Sequence, residues 1–317
     1  MTTRWLDRPE GGSARAIRLL VSATKVLGRS VSRLALIPIT VYFLLRRSPE
    51  RRASRDYLAR ALGRSPTIID VARHFFYFAS VTLDRIFMLT DQLEKFDINI
   101  VGLEGIHAAM SRGKGVLLVG AHAGSFDALR AISQRYSDVT CKVILDVEHS
   151  PVLSRILNSL NPEMARSIIN PRQNPTRVVL EIAQALQEGA LVTMLGDRAR
   201  PGNATISVRF LGAEADLPAA PWQIAAALHV PVVLVMGLYR GGSRYDLHFV
   251  ELFDEIRAER RQRPEQIRTA AQRFADRLED LVQQAPYNWF NFYEFWKDSG
   301  AGTRIAGNCD VDGLRNH

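Results

Sequence analysis

The chain has 317 residues, 47% of them hydrophobic and 23% charged, which is enough to bury one large core with an N-terminal extension. This composition excludes a disordered chain and a membrane protein with many spans. With 41 Lys and Arg against 33 Asp and Glu, the formal net charge is +8, and an excess of that sign suits nucleic acid, an anionic membrane or an acidic ligand.

The distribution of the basic residues separates these partners. They crowd the first part of the chain, around apolar segments, which fits a membrane surface and not a nucleic acid. The residues concerned are Arg4, Arg8, Arg15, Arg18, Lys25, Arg29, Arg33, Arg46, Arg47, Arg51, Arg52 and Arg55. The two cysteines, Cys141 and Cys309, form no metal or redox spacing, so a reducing, cytoplasmic setting is expected.

The longest charge-free stretch runs from Leu34 to Leu45. As a helix it would cover about 18 Å, less than the hydrocarbon core of about 30 Å, and arginines flank both ends. We therefore expect residues 13–47 to form an in-plane anchor or a short re-entrant helix pair, bent at Pro38. An ordinary core helix is the alternative, whereas charged residues within the apolar region argue against a cleaved signal peptide.

Two Ser-Pro pairs, Ser48-Pro49 and Ser65-Pro66, are typical of helix starts. The second predicts a long helix over residues 66–90 with a stripe of aromatic residues. We interpret that stripe and His74 as core or interface packing.

From Phe96 the pattern changes to alternating strands and helices. Strands are predicted near 97–101, 115–120, 139–146, 190–195, 231–238 and 245–251. Helices are predicted near 103–112, 125–135, 151–160, 174–188, 219–228 and 262–284. This indicates an α/β fold with a mostly parallel sheet flanked by helices, preceded by an N-terminal helical membrane-associating region and followed by a flexible tail at 299–317.

Within that pattern, the stretch from Gly115 to Arg130 combines a buried strand with a helix start. Ser125 is a suitable N-cap, which places His122 in the connecting loop and Asp127 in the first helical turn. Loops at the carboxyl ends of parallel strands are where ligands bind in such folds.

His122 and Asp127 are five residues apart, and on one continuous helix their side chains would point about 140° away from each other. A turn at Gly124 would let the chain fold back and bring them together. A carboxylate bonded to one imidazole nitrogen leaves the other as a base for a hydroxyl or an amine. The alternative is a capping histidine and an aspartate placed by the helix dipole.

Several motifs together resemble the bacterial lipid A biosynthesis lauroyl/myristoyl acyltransferases, part of the lysophospholipid and glycerolipid acyltransferase superfamily. The resemblance covers about Val26 to Trp296, and its central motif is His, four residues, then Asp. The stretches that carry it are Ser54-Arg-Asp-Tyr-Leu58, Arg73-His-Phe75, His122-Ala-Gly-Ser-Phe-Asp127, Val192-Thr-Met-Leu-Gly-Asp-Arg198, Val208-Arg-Phe-Leu-Gly212 with Leu217-Pro218, and His229-Val-Pro-Val-Val233.

Three features depart from the usual pattern of that family. The lipid A enzymes usually carry Glu where this chain has Asp127, and Gly where it has Ala220. The C-terminal stretch from Trp289 to Trp296 looks more like relatives associated with aryl-polyene gene sets. It is expected either at the lipid headgroup level or in the core.

The resemblance implies an α/β acyltransferase domain at 96–298 behind a membrane-anchoring region at 1–95. It implies transfer of an acyl chain from an acyl carrier protein or coenzyme A thioester to a hydroxyl of a lipid or glycolipid, at the cytoplasmic face of a bacterial inner membrane. His122 would be the general base and Asp127 would orient it. No cofactor beyond the co-substrate and no metal are expected, since the remaining histidines lack ligand spacing.

The acceptor's anionic groups or the phosphopantetheine of the carrier would be held by residues at strand ends and by the Phe-Leu-Gly block. The substrate-binding candidates are Arg130, Arg166, Asp197, Arg198, Arg200 and Gly212. For Asp197 and Arg198 a local ion pair is the alternative. Backbone N–H groups at the start of the 125 helix are candidate oxyanion donors.

Two other classes of function compete with this interpretation. A thioesterase or lipase would need a Gly-x-Ser-x-Gly elbow, which the sequence lacks, and the capping duty of Ser125 argues against a nucleophile. A non-catalytic basic protein that binds anionic lipid through residues 1–60 would leave His122 and Asp127 without a role.

Overall fold

The computed structural model describes residues 14–90, 92–111, 113, 115–129, 140–146, 167–256 and 261–296, with side chains from Gly28 onward. Three helices come first: α1 (Ala14–Arg46), α2 (Ser48–Leu62) and α3 (Ile68–Leu89). They are followed by β1 (Asp97–Val101), α4 (Leu103–Met110), β2 (Val116–Gly124), β3 (Cys141–Ile144), β4 (Ile168–Ile169), α5 (Pro175–Gln187), β5 (Leu191–Leu195), β6 (Thr205–Phe210), β7 (Ala213–Pro218), α6 (Ala220–Leu228), β8 (Val232–Gly241), β9 (Arg244–Phe253) and α7 (Arg263–Gln284).

Seven strands form one sheet in the order β1-β9-β8-β2-β5-β3-β4. All neighbouring pairs are parallel except the β8–β9 hairpin. Strand β2 is central, and Val116 to Val119 are all buried because packed layers cover both faces of the sheet. The α/β architecture with a mostly parallel sheet is therefore confirmed, and its central strand is the one that carries His122.

The predicted strands and most of the predicted helices are found within a few residues of their expected bounds. The hairpin of β6 and β7 was missed, although its buried and exposed residues alternate as in any half-buried strand. Short β4 was also missed. The predicted helix at 151–160 and the tail at 299–317 lie outside the described residues.

The predicted helix starts need small corrections. Helix α3 begins after Thr67, whose side chain accepts from the Asp70 backbone while the Asp70 side chain accepts from the Thr67 backbone. This capping box replaces the expected cap at Ser65. Helix α2 begins at Ser48 itself with Pro49 in its first turn, so Ser48 is inside the helix and not its cap.

Helix α1 leaves helical geometry at Gly28, where φ is +72°, and continues to Arg46 with Pro38 inside it. The structure thus adds a break at Gly28, where glycine adopts this left-handed conformation without steric cost, and the bend expected at Pro38 stays a prediction. The segment Gly28–Arg46 is the one helix among the described residues that is long and apolar enough to cross a membrane, with 19 residues and a mean hydropathy of 1.3. At about 28 Å it is longer than the charge-free stretch alone.

The two faces of this segment differ. On the inner face, Arg29 pairs with the buried Asp84 of α3 (Nε to Oδ1, 2.7 Å) and Arg33 donates to the Tyr239 hydroxyl of β8. Leu36 is buried in the core between α1, α3 and the sheet. The outer face carries exposed apolar side chains, namely Val31, Leu34, Ile37, Val41, Tyr42 and Leu45.

Candidate active site

His122 lies inside β2 and not in the loop that the sequence predicts, because the strand continues to Gly124 past a register shift between Gly120 and Gly124. At Gly124 φ is +56°, and a Cβ there would overlap the carbonyl oxygen of Gly237 on β8. The next backbone N–H, of Ser125, donates to that same oxygen at 2.7 Å. A glycine is therefore required where the chain leaves the sheet, and it fixes the position of His122 just before the turn.

The partner of His122 comes from the neighbouring strand. Strands β2 and β5 are parallel, with Gly120 opposite Leu195, so the same register carried two residues further places His122 opposite Asp197. The Nδ1 of His122 lies 2.8 Å from Oδ1 of Asp197, and its backbone N–H donates to Oδ2 at 3.0 Å. The pairing thus follows from the order of the strands in the sheet.

Asp197 is fully buried but well supplied with donors. Besides the two groups of His122, the indole N–H of Trp289 donates to its Oδ2 at 3.0 Å, and Nε of Arg198 lies 3.6 Å from the same oxygen. Burial alone would raise the pKa of Asp197, but His122, Arg198 and the Trp289 N–H outweigh it and lower that pKa below the ordinary value. The carboxylate is therefore ionised.

An ionised Asp197 holds the proton of His122 on Nδ1 and leaves Nε2 as the acceptor. Among the described residues nothing is hydrogen-bonded to Nε2, and 35% of the side chain is exposed. Burial lowers the pKa of His122, and the positive charges of Arg198 and Arg85 lower it further, against the opposing effect of Asp197. The site presents a neutral imidazole that is oriented and ready to accept a proton.

The expected bond between His122 and Asp127 is not formed, and this prediction is corrected. Asp127 lies in a short 3-10 helix, Phe126–Leu129, that follows the Gly124 turn and packs toward α3. Its buried carboxylate accepts from Nε of Arg85 at 2.6 Å. The reason is that the turn directs Asp127 away from β5, whereas Asp197 reaches Nδ1 directly along the sheet.

Ser125 is fully buried, and within the described ranges no backbone N–H of the 3-10 helix that follows it donates to its hydroxyl. Its hydroxyl donates to Sδ of Met88 at 3.4 Å, and its N–H is bonded to Gly237. That N–H is therefore not free as an oxyanion donor, which removes one of the expected candidates. The rest of the predicted helix, 130–135, lies outside the described residues.

The C-terminal segment from Asn288 to Phe290 pairs with the end of β2 through an antiparallel bridge between Ala123 and Trp289. The Phe290 N–H donates to the His122 carbonyl at 2.9 Å, and the Gly124 N–H donates to the Asn288 carbonyl at 2.8 Å. The aromatic residues around it are buried, so of the two interpretations of the stretch from Trp289 to Trp296 core packing is confirmed for most of it.

His74 supports this segment from α3. Its ring is fully buried, its Nε2 lies 3.0 Å from the Trp289 carbonyl and its Nδ1 lies 2.8 Å from the Ser54 hydroxyl. Burial lowers the pKa of His74 to about 3, so the ring is neutral. The interpretation of His74 as a core residue is confirmed, and the structure adds that it holds the backbone of the residue that binds Asp197.

The remaining predicted binding residues are spread over the structure. Arg198 donates to the Phe290 carbonyl at 2.7 Å and lies over the ring of Tyr293. Arg200 binds Asp146 after β3. Gly212 lies in the turn between β6 and β7, and within the described residues no hydrogen bond connects that turn to His122. Arg130 and Arg166 lie outside the described residues.

Two residues at the site were not predicted from the sequence. In the sequence Trp289 is part of an aromatic cluster, and Arg85 belongs to no motif. No local signal identifies them, because their partners are 92 and 42 residues away in the chain. Among the described residues no group of three or more His, Cys, Asp or Glu side chains is arranged to hold a metal ion.

The fold and the site define a class of protein: an α/β protein with a mostly parallel sheet that places a neutral, carboxylate-oriented histidine at the carboxyl end of its central strand. The sequence matches the family described as bacterial lipid A biosynthesis acyltransferase over residues 26–298. The chain belongs to this family of acyltransferases.

Among solved structures, the chain is similar to the 1-acyl-sn-glycerophosphate (LPA) acyltransferase PlsC from Thermotoga maritima. The identity is 14%, the TM-score is 0.37, and the match covers 80% of this chain and 98% of the other. No curated protein matches the sequence.

Proposed function

We propose that the protein is a membrane-associated O-acyltransferase that moves a fatty acyl chain from an acyl carrier protein or coenzyme A thioester onto a hydroxyl of a lipid or glycolipid acceptor in lipid A biosynthesis. One observation carries the proposal: Nδ1 of His122 is bound to Asp197, while no described group occupies Nε2. A proton acceptor of this kind is what a hydroxyl needs in order to attack a thioester. Membership of the family is consistent with that chemistry.

In the proposed reaction, Nε2 of His122 takes the proton of the acceptor hydroxyl as its oxygen attacks the thioester carbonyl. The new C–O bond forms, the tetrahedral intermediate collapses, and the C–S bond breaks. The imidazolium then returns its proton to the leaving thiolate. Asp197 stabilises the imidazolium across the 2.8 Å contact with Nδ1, so it is the positioning residue of this mechanism.

Arg198 has two roles in this account. Its charge helps to keep the resting His122 neutral, and it helps to keep Asp197 ionised. It is anchored by the Phe290 carbonyl and the Tyr293 ring, which fixes its position beside the dyad. We propose that it also attracts an anionic group of one substrate.

Membrane association at the cytoplasmic face of the inner membrane is proposed from the outer face of α1. That face exposes Leu34, Ile37 and Leu45 while Arg29 and Arg33 hold the helix to the rest of the protein. An amphipathic helix held in this way suits the interface of a bilayer. Replacing both Leu34 and Ile37 by Asp should reduce co-sedimentation with anionic vesicles, whereas unchanged co-sedimentation would contradict this part of the proposal.

The test of the reaction is acyl transfer by the full chain with acyl carrier protein and coenzyme A thioesters and a lipid A precursor as acceptor. Mass spectrometry should show the acceptor heavier by one acyl group in place of one hydrogen. His122→Ala should lower kcat by about 10²–10⁴-fold, because it removes the general base. The variant should keep its circular dichroism spectrum and its vesicle binding.

A non-catalytic protein that binds anionic lipid gives the opposite result. In that case the wild type transfers no acyl group from any thioester, and His122→Ala complements a deletion strain as well as the wild type does. Either result would contradict the proposed acyltransferase.

A further inference from the structure

Arg85 of α3 faces the turn that follows His122. It lies three residues before Met88, whose sulfur accepts the hydrogen bond of Ser125, so one face of α3 contacts this turn at two points. At the first of these points the Nε–H of Arg85 donates to Oδ2 of Asp127 at 2.6 Å. The turn therefore fixes the guanidinium through a single one of its nitrogens.

The two partners of this pair differ in exposure. The side chain of Asp127 is 6% exposed, whereas that of Arg85 is 39% exposed. Among the described residues, no hydrogen bond or ion pair uses the two terminal amino groups of Arg85. A buried carboxylate thus holds one edge of the guanidinium, and no described residue holds the edge made by Nη1 and Nη2.

Arg85 lies near the reacting histidine. Asp127 follows His122 after a turn of four residues, and the charge of Arg85 is close enough to contribute to the lowered pKa of His122. A guanidinium with a fixed orientation and two free amino groups matches the paired oxygens of an oxyanion, phosphate above all.

We propose that Arg85 binds a phosphate group of one substrate beside His122, and that Asp127 positions Arg85 for this task. In this proposal the aspartate of the His-x4-Asp motif acts on substrate binding through Arg85, and it does not orient the base. The inference rests on the proposed function. The phosphate belongs either to the acceptor or to the phosphopantetheine of the donor, and the experiment separates these two sources.

The experiment measures kcat and both KM values for the full-length wild type and for Arg85→Gln. The acceptor is supplied with and without its phosphate, and the donor as acyl-coenzyme A or as the N-acetylcysteamine thioester, which has no phosphate. Arg85→Gln should raise KM about ten- to a hundredfold for one substrate only in its phosphorylated form, with kcat changed less than about threefold. The substrate that responds identifies the source.

Two further variants refine this result. Asp127→Asn should raise the same KM by a smaller factor, because Arg85 keeps its charge but loses its anchor. Arg85→Lys should restore part of the affinity, since Lys supplies the charge without the planar fork. Arg177→Gln is the matched control, since Arg177 is an exposed arginine on α5 paired with Glu181, and it should change neither KM.

Unchanged KM values in Arg85→Gln, or equal effects on the phosphorylated and phosphate-free forms, would overturn the inference. If Arg85 only joins α3 to the segment after His122, Arg85→Gln would lower the thermal midpoint and would not distinguish phosphorylated from phosphate-free substrates. If Arg85→Gln does not fold, the comparison of wild type with Arg85→Lys decides by the same criterion.

Failure of the proposed function would be visible separately. Calorimetric titration of the wild type, Arg85→Gln and Arg177→Gln with inorganic phosphate requires no turnover. Weaker phosphate binding in Arg85→Gln alone would support the site even if no acyl transfer is found. If acyl transfer depends on His122 but phosphate binding does not depend on Arg85, the proposed acyltransferase function is retained. The proposed phosphate site at Arg85 is then overturned.

Discussion

The two carboxylates near His122 stand in contrasting surroundings. Asp197, at the end of β5, is fully buried and is bonded to the base itself and to Trp289. Asp127, in the short 3-10 helix after β2, is bonded to Arg85, which is partly exposed. Asp127, five residues from His122 in sequence, is therefore not the carboxylate bonded to the imidazole. The pairing of His122 with Asp197 is decided by the position of β5 beside β2 in the sheet.

This contrast assigns different chemistry to the two sides of His122. On the side of Asp197, every hydrogen bond stabilises a negative charge that faces Nδ1, which is the arrangement expected for orienting a base. On the side of Asp127, the carboxylate stabilises a cation whose amino groups are free among the described residues. Asp197 should therefore control kcat, and Asp127, acting through Arg85, should control the binding of substrate.

Trp289→Phe offers a way to weaken the Asp197 side alone. It removes one charge-assisted N–H donor from Asp197 and keeps an aromatic ring in the core, so kcat should fall about tenfold. Steady-state kinetics with both substrates would measure this, with KM changed little. A rise in KM at constant kcat would show that the segment around Trp289 binds substrate and does not support the base.

Arg198→Gln tests the Asp197 side through the pH dependence of kcat. Burial and Arg198 are the two largest causes that lower the pKa of His122, so the variant should have a higher pKa at that residue. Because Nε2 must be unprotonated to act, activity is lost as the pH falls through this pKa. The acid limb of the kcat profile should therefore move to higher pH in the variant, and an unmoved or oppositely moved limb would contradict the assignment.

Of the variants on the Asp127 side, Ser125→Ala should have the smallest effect on kcat. The hydroxyl is buried and makes only a weak hydrogen bond to the Met88 sulfur, so kcat should stay within about twofold of wild type. Turnover under saturating substrates measures it. A loss of several orders of magnitude would revive Ser125 as a nucleophile and change the mechanism to one with an acyl-enzyme.

The sequence predicts the local parts of this account well. Apolar runs and caps locate β2, β5 and α7 because strand and helix signals depend on neighbouring residues. The sequence also predicts functional residues near the ends of β2 and β5, where His122 and Asp197 lie. In the hairpin of β6 and β7, the buried and exposed residues of β6 alternate, which is a signal that sequence can supply.

The partners within the site could not be predicted in the same way. The contact of His122 with Asp197 spans 75 residues and depends on β5 lying beside β2 in the sheet. The contact of Arg85 with Asp127 depends on how α3 packs over the turn. Such contacts are set by tertiary packing, whereas the interval between His122 and Asp127 suggested a partnership that the Gly124 turn prevents.

The most direct test of the central claim compares Asp197→Asn with Asp127→Asn under saturating concentrations of both substrates. If Asp197 orients the base, Asp197→Asn should lower kcat by about 10²-fold or more, whereas Asp127→Asn should keep kcat within about threefold of wild type. Circular dichroism of both variants controls for folding. The reverse order, with kcat lost in Asp127→Asn and kept in Asp197→Asn, would contradict the account.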